Sequence, residues 1–251
     1  MAQPIVSWRP GGPVRPGDPQ AVQELFDSVA PRYDLLNDLL SFGLHRLWKR
    51  QALAWLQPRA GQQLLDLCCG TGDLALLLAA RVRPGGRVLG LDAAAAPLAV
   101  ARQRAGLQPW LPLEWLQGDA LATGLPDASR DGAVMAYGLR NLADPAAGLQ
   151  ELRRLLRPGG RAAVLDFRHI DPGEGPLEAV TERFQRLYLR HLVVPTARLV
   201  DLEPQYAYLQ QSLERFPPQG ELCALARQAG FRRVRHRPLA AGLMGLLELV
   251  A

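Results

Sequence analysis

Apolar residues along this chain follow two rhythms that change over near residue 62. Before it they recur at helical spacing: Leu35, Leu36, Leu39 and Leu40 share one face, Ser41-Phe42-Gly43 turns, and a second helix carries Leu47, Trp48, Leu53 and Trp55. An earlier helix is predicted from Asp18, a capping residue followed by Pro19 at the first helical position, to about Ala30. After Gln62 short apolar runs alternate with helical segments, as they do when a parallel sheet is covered by helices. Strands are predicted near 63–67, 87–92, 113–118, 131–137 and 161–167, and helices near 72–82, 97–105 and 145–156. Pro158-Gly159-Gly160 reads as the turn feeding the fifth strand.

From about Pro176 a long amphipathic helix places Leu177, Val180, Phe184, Leu187, Tyr188 and His191 on one face and Arg183, Arg186 and Arg190 opposite. A helix from Gly220 to Ala229 then leads into strands near 231–237 and 244–250, an antiparallel pair at the sheet's edge. The fold class is therefore α/β: a doubly wound, mostly parallel seven-stranded sheet with an N-terminal helical cap. Residues 1–17, with Pro4, Pro10, Pro13 and Pro16, form a tail, and 18–251 form a single domain whose first part, 18–60, is the cap.

In such a sheet ligands gather at the carboxyl ends of the strands. The run LLDLCCGTGDLAL, residues 64–76, is a strand, a glycine turn and a helix start, which aims bare backbone N–H groups at a ligand. Gly70, Gly72 and Ala75 also satisfy the dinucleotide pattern G-x-G-x-x-G/A, with Asp92 about 20 residues on. The glycines alone thus leave nicotinamide dinucleotide and S-adenosylmethionine both open. Asp66 favours the second, because a carboxylate at a strand end repels a pyrophosphate but suits an ammonium and a sulfonium. Asp92 ends the second strand, where it can accept two ribose hydroxyls, and Asp119-Ala120 follows the third, where adenine would lie.

Composition narrows the picture further. The apolar fraction of 48% supports a full core, without an uninterrupted apolar run long enough to span a bilayer. The first residues lack the basic start and apolar centre of a secretory signal, so a cytoplasmic location is expected. Cys68, Cys69 and Cys223 are too few and too ill-placed for a disulfide framework, and four scattered histidines, His45, His169, His191 and His236, give no metal cluster. The net charge is +5, with Lys49 the only lysine among 29 cations. A basic balance suits an anionic membrane surface or nucleic acid.

The glycine turn, the Asp92 strand end, the Gly118-Asp119-Ala120 triplet and the LLRPGG turn together resemble the Rossmann-like class I adenosylmethionine-dependent methyltransferases. More specifically, YDLLNDLLSFGLHRLW, residues 33–48, resembles the N-terminal signature of the ubiquinone and menaquinone biosynthesis C-methyltransferases, with Tyr33-Asp34, Asn37, Ser41, His45 and Trp48 at its fixed points. Residues 137–144, YGLRNLAD, resemble the family's central G-[LI]-R-N-x-x-D block. Departures are Leu36 in place of Met, Cys68 and Cys69 in place of small residues, Ala136 where some bacterial members have Ser, and Asp166-Phe167-Arg168 where the second signature closes E-x-S. With the C-terminal GLMGLLELVA they resemble the cyanobacterial and plastid branch that methylates 2-phytyl-1,4-naphthoquinone in phylloquinone synthesis.

The resemblance implies S-adenosylmethionine as methyl donor, no metal, and a prenylated naphthoquinol as substrate. Asp66, Gly70, Thr71, Gly72, Asp92, Asp119 and Ala120 would bind the donor. Arg140 and Asn141 would stand near the transferred methyl, with Arg140 organising a water that acts as base. Tyr33 and His45 would share in catalysis, while Asp34, Asn37, Phe184 and Tyr188 would bind substrate. His45 is the only one of these whose ordinary pKa lies near neutrality. Peripheral contact with the thylakoid membrane through the 177–193 helix is also implied, with a homodimer as a further candidate partner. Other quinone precursors, a small-molecule O- or N-methyltransferase, an RNA methyltransferase and a non-enzymatic adenosylmethionine-binding subunit stay open as alternatives. The second-to-last would suit Arg232, Arg233, Arg235 and Arg237, but the N-P-P-[YF] block of amino-methylating enzymes is missing.

Overall fold

Strand β1, Gln63–Leu67, is the middle of the sheet, and its alternation organises what lies on either side. Leu65 and Leu67 belong to the core on one face; Leu64 belongs to the core on the other, which by the strand's period of two is also the face of Asp66. The computed structural model describes residues 18–29, 43–170 and 203–251, together with Gly175, Val180, Thr181, Arg183 and Leu187. The tail, the helix expected over 31–40 and most of 177–193 lie outside the described residues, and with them Tyr33, Asp34, Asn37, Phe184 and Tyr188.

Helix α1 spans Pro19–Val29 and α2 spans His45–Leu56. The Asp18 carboxylate accepts the backbone N–H groups of Gln20 and Ala21 at 3.1 and 3.3 Å, the cap its position predicted. Beyond β1 follow α3 (Asp73–Arg81), β2 (Arg87–Asp92), α4 (Ala95–Gly106), β3 (Leu113–Gln117), β4 (Arg130–Ala136), α5 (Pro145–Leu155) and β5 (Leu156–Phe167). The chain ends with α6 (Glu203–Arg215), α7 (Gln219–Gln228), β6 (Arg233–Leu239) and β7 (Met244–Val250).

All seven strands join one sheet in the order β3-β2-β1-β4-β5-β7-β6. The first five are parallel, and β7 inserts antiparallel between β5 and β6. The expected antiparallel pair is thus present, with the last strand inside and β6 at the edge, where exposed Arg233 and Arg235 blunt unwanted pairing. Pairing of β5 begins earlier than its apolar run implied. Leu156 pairs with Arg130, and 157–160 then leave the ladder before Arg161 pairs with Gly132, with Gly159 at φ +79°. Residues 203–215 form a helix that the sequence reading missed, because EPQYAYLQQSLER is largely polar.

One core, under α5 and α7, contains Leu65, Leu91, Met135, Leu149, Leu152 and Phe231; the other, under α2 and α3, contains Trp48, Leu53, Leu74, Leu78, Val88 and Val134. Burying such side chains stabilises the fold by about 1.5–3 kcal/mol each. The strand order reverses between β1 and β4, which opens a crevice at their carboxyl ends.

Candidate active site

That crevice is a cleft of about 840 Å³ whose walls come from every strand end the sequence singled out. Cys68 and Gly70 follow β1, Asp92, Ala93 and Ala94 end β2, Asp119 and Ala120 follow β3, and Tyr137, Gly138 and Asn141 follow β4. Across the mouth lies α1, contributing Val22, Gln23 and Phe26. Asp27 of the same helix accepts the Ala96 N–H at 2.8 Å, which holds α1 against the start of α4. Nothing in the 19–29 pattern marked this helix as part of the site, since its apolar face reads as ordinary core.

Asp92 ties the donor turn together. One carboxylate oxygen accepts the Gly70 N–H at 2.8 Å and the other accepts the Ala94 N–H at 2.9 Å. Burial pushes its carboxyl above the ordinary range even against these N–H groups, so a cluster of outside donors would be welcome there. Asp119 caps its own turn, accepting the Leu121 N–H at 2.8 Å.

Asp66, Thr71 and Gly72 stand behind this wall and do not line it. Asp66 is 1% exposed, and its carboxylate accepts the Ala75 N–H at 2.8 Å, bracing the first turn of α3 from beneath. Burial pushes it up to about 8. Thr71 is buried, and its carbonyl accepts from Arg104 at 3.2 Å. Gly72 sits at φ +82°, and a β-carbon there would come within 2.6 Å of the Trp115 indole. The same ring fills the space above Gly90, which Trp115 faces across the β2–β3 ladder. Gly72 therefore answers to the packing of an indole as well as to the turn.

At the end of β4 the chain turns sharply: Tyr137 has φ +60°, matched by Cys68 at φ +59° after β1. Left-handed backbone in residues with a β-carbon is uncommon and clusters at functional sites. The turn aims the Tyr137 carbonyl at the following segment, where it accepts from the Arg140 guanidinium at 3.0 Å and the Asn141 amide at 2.8 Å. Arg140, 8% exposed, also donates to Asp166 at 2.6 Å and stacks 5.4 Å from the Phe167 ring centre. Asn141 lines the cleft and accepts from the Tyr208 hydroxyl of α6 at 3.0 Å. Burial pushes that phenol up to about 12, so it stays a donor.

The structure thus brings Gly70, Asp92, Asp119, Ala120 and Asn141 to one cleft and sets Arg140 immediately behind Asn141. His45 is buried at the start of α2 but is not among the cleft-lining side chains. Asp166 and Tyr208 were missed as site residues: the first was read only as a departure from the E-x-S ending, although it keeps a carboxylate, and the second sits on the helix the reading passed over.

Solved structures that share this architecture include proteins described as adenosylmethionine-dependent methyltransferases. A protein described as a SAM dependent methyltransferase from Aquifex aeolicus superposes with a TM-score of 0.56 at 20% identity, covering 93% of this chain and 99% of that one. A Thermotoga maritima protein described as a SAM-dependent methyltransferase, possible histamine N-methyltransferase, gives 0.60 at 20% identity over 90% and 98%. At these identities the likeness is one of fold. Sequence relatives go further. The 2-phytyl-1,4-naphtoquinone methyltransferase of Thermosynechococcus vestitus is 53% identical over 90% of this chain and 96% of its own. The Arabidopsis thaliana protein named 2-phytyl-1,4-beta-naphthoquinone methyltransferase, chloroplastic, is 41% identical over 89% and 84%. The model of the ubiE/COQ5 methyltransferase family matches residues 16–247, and with this fold and these relatives the chain belongs to that family.

Proposed function

We propose that this protein transfers a methyl group from S-adenosylmethionine to a ring carbon of 2-phytyl-1,4-naphthoquinol, the methylation that completes phylloquinone. The observation that carries the reading is the cleft at the β1/β4 switch point, with Asp92 and Asp119 at its polar end and Leu91, Pro97 and Leu142 among its apolar walls. The two carboxylates and the apolar walls suit a nucleoside with a cationic tail. The names of relatives 41–53% identical support the naphthoquinone substrate.

Bound there, the donor supplies a methyl group on a positively charged sulfur. Asp92 would accept the ribose hydroxyls, since each carboxylate oxygen that accepts one backbone N–H has a second lone pair. Asp119-Ala120 would meet adenine. Asp66 would act through the turn it braces, its negative form favoured once a cation lies nearby.

A quinone ring is electron-poor, so the accepting carbon gains its electrons from the reduced form, in which a deprotonated hydroxyl feeds the ring. Arg140 stays charged at any working pH and cannot take that proton. Held by Asp166 and the Tyr137 carbonyl, it would stabilise the phenolate or orient the water that takes the proton, beside Asn141. Tyr33, His45, Asp34 and Asn37 would close the substrate side from the cap, and Phe184 and Tyr188 would contact the tail. Val180 and Leu187, 67% and 49% exposed, with Arg183 exposed nearby in sequence, support a lipid-facing surface on the 177–193 segment, where each arginine gains about 1 kcal/mol from anionic headgroups. Among the described residues no helix is long and apolar enough to cross a membrane.

The test is turnover of the purified chain with S-adenosylmethionine and 2-phytyl-1,4-naphthoquinone, kept reduced or kept oxidised, with products read by mass spectrometry. A methylated product from the reduced substrate alone is expected. Equal rates from the oxidised quinone would refute the quinol step, and no product from either would refute the substrate.

A further inference from the structure

Lys49, the chain's single lysine, lies 6% exposed on the inner face of α2. Its ammonium meets Asp73 at 2.8 Å, the first residue of α3 and the next after the Gly70-Thr71-Gly72 turn. The other Asp73 oxygen meets Arg104 at 2.6 Å, and Arg104 also donates to the Thr71 carbonyl. Burial alone would raise the Asp73 carboxyl, yet these two cations hold it below its ordinary value. Lys49 also stands 6.0 Å from the centre of the Tyr137 ring, which lies 6.0 Å from the Phe167 ring, over which Arg140 is stacked. One helical turn before Lys49, on the same inner face, is buried His45.

We propose that Lys49 is a positioning residue for methyl transfer: its ammonium keys the cap helix to the donor turn through Asp73 and to the Arg140 centre through Tyr137 and Phe167. On the methyl-transfer reading the donor lies at the strand ends and the acceptor would be closed in from the cap, and Lys49 sets one against the other. It touches neither the reacting atoms nor the cleft. Without it Asp73 keeps Arg104, so the turn keeps its shape, while the cap loses its register. Because misplacement of about 1 Å can cost around 10²-fold in rate, the loss falls on turnover and not on donor affinity. The proposal rests on the methyl-transfer reading given above.

Lys49→Gln, Lys49→Arg and Lys49→Met in the full chain test it. Expected for Lys49→Gln is a turnover about 10- to 100-fold lower with reduced 2-phytyl-1,4-naphthoquinone. Its calorimetric Kd for S-adenosylmethionine should change by less than about 3-fold, a loss under a tenfold step of 1.4 kcal/mol. Lys49→Arg, which keeps the charge, should recover part of the turnover. Hydrogen exchange supplies a readout independent of the acceptor: S-adenosylmethionine should slow amide exchange across 45–56 in the parent but not in Lys49→Gln. Unchanged turnover, a donor affinity that falls in step with turnover, or an exchange response that survives the substitution would each overturn the proposal. If the parent methylates no naphthoquinol, the substrate reading falls, and the exchange response alone then decides Lys49. If Lys49→Gln does not fold, Lys49→Met, which fills the same space without the charge and leaves Asp73 paired with Arg104, is read the same way.

Discussion

Arg140 and Asp166 are joined twice. The guanidinium donates to one carboxylate oxygen at 2.6 Å, and the backbone N–H of the same arginine donates to the other at 3.2 Å. Asp166 therefore fixes both where the charge of Arg140 points and how the short turn that carries Arg140 and Asn141 leaves β4. Both side chains are less than a tenth exposed, so neither end can be removed without stranding the other.

Asp166→Ala should accordingly cost about 3–5 kcal/mol of stability, the range for breaking one side of a buried pair. Asp166→Asn, which can still accept the backbone N–H, should cost less stability but lower turnover by roughly 10²-fold by freeing the guanidinium. Urea denaturation and initial rates separate the two effects. A fully active Asp166→Asn enzyme would show that Arg140 needs no orienting partner.

Asp66 predicts a stability that depends on pH in an unusual direction. Its carboxyl rises from 3.8 in the unfolded chain to about 8 in the fold, so the folded state binds the extra proton between those values. Stability from this group is present below about pH 4 and is lost as pH climbs toward 8. Asp66→Asn removes the titration and should melt higher than the parent at pH 8, with the gap closing toward pH 4. It should bind S-adenosylmethionine more weakly if the charge of Asp66 serves the donor. Calorimetric melts at both pH values, with a donor titration, check both halves.

Asp92→Ala should leave the Gly70 and Ala94 N–H groups without their carboxylate and remove the ribose acceptor. A loss of about 10- to 100-fold in S-adenosylmethionine affinity is expected, in line with 1–3 kcal/mol for a buried polar group deprived of its partner. Isothermal titration with the donor and its demethylated product measures this directly.

Gly72→Ala should destabilise by about 1–3 kcal/mol, combining left-handed strain with a methyl group driven into the Trp115 ring. In a Trp115→Leu background the clash with the ring is relieved and the same change should cost less, leaving the backbone part and the close approach to the Ala101 β-carbon at 3.1 Å. The double-mutant cycle, read by urea melts, distinguishes packing from conformation.

How much of this could be read from the chain alone depended on whether the signal was local. Strands β1 and β2 were legible to the residue, because Leu64-Leu65 and Val88-Leu89 lie in short apolar runs closed by Asp or Gly. The aspartates at successive strand ends were legible too, since parallel strands send their ends to one edge. What was hidden is what only tertiary packing decides. Asp66 follows Leu64 onto the α3 face, so the carboxylate expected in the cleft lies under it instead. Tyr208 acts on Asn141 across 67 residues from a helix with little apolar periodicity, and α1 reaches the cleft by lying across α4. Trp115 explains two glycines on neighbouring segments, a relation that no spacing could reveal.

The twisted backbone at Tyr137 has a consequence for how this cleft can change over time. A residue with a β-carbon at φ +60° rests uphill by something on the order of 1–3 kcal/mol, and its carbonyl is grasped at once by Arg140 and Asn141. Loosening either grip would let the peptide relax and swing that oxygen away. Because the oxygen belongs to the main chain, any residue at 137 would offer it, so the shape of the β4 exit depends on the two side chains that hold it and not on the phenol.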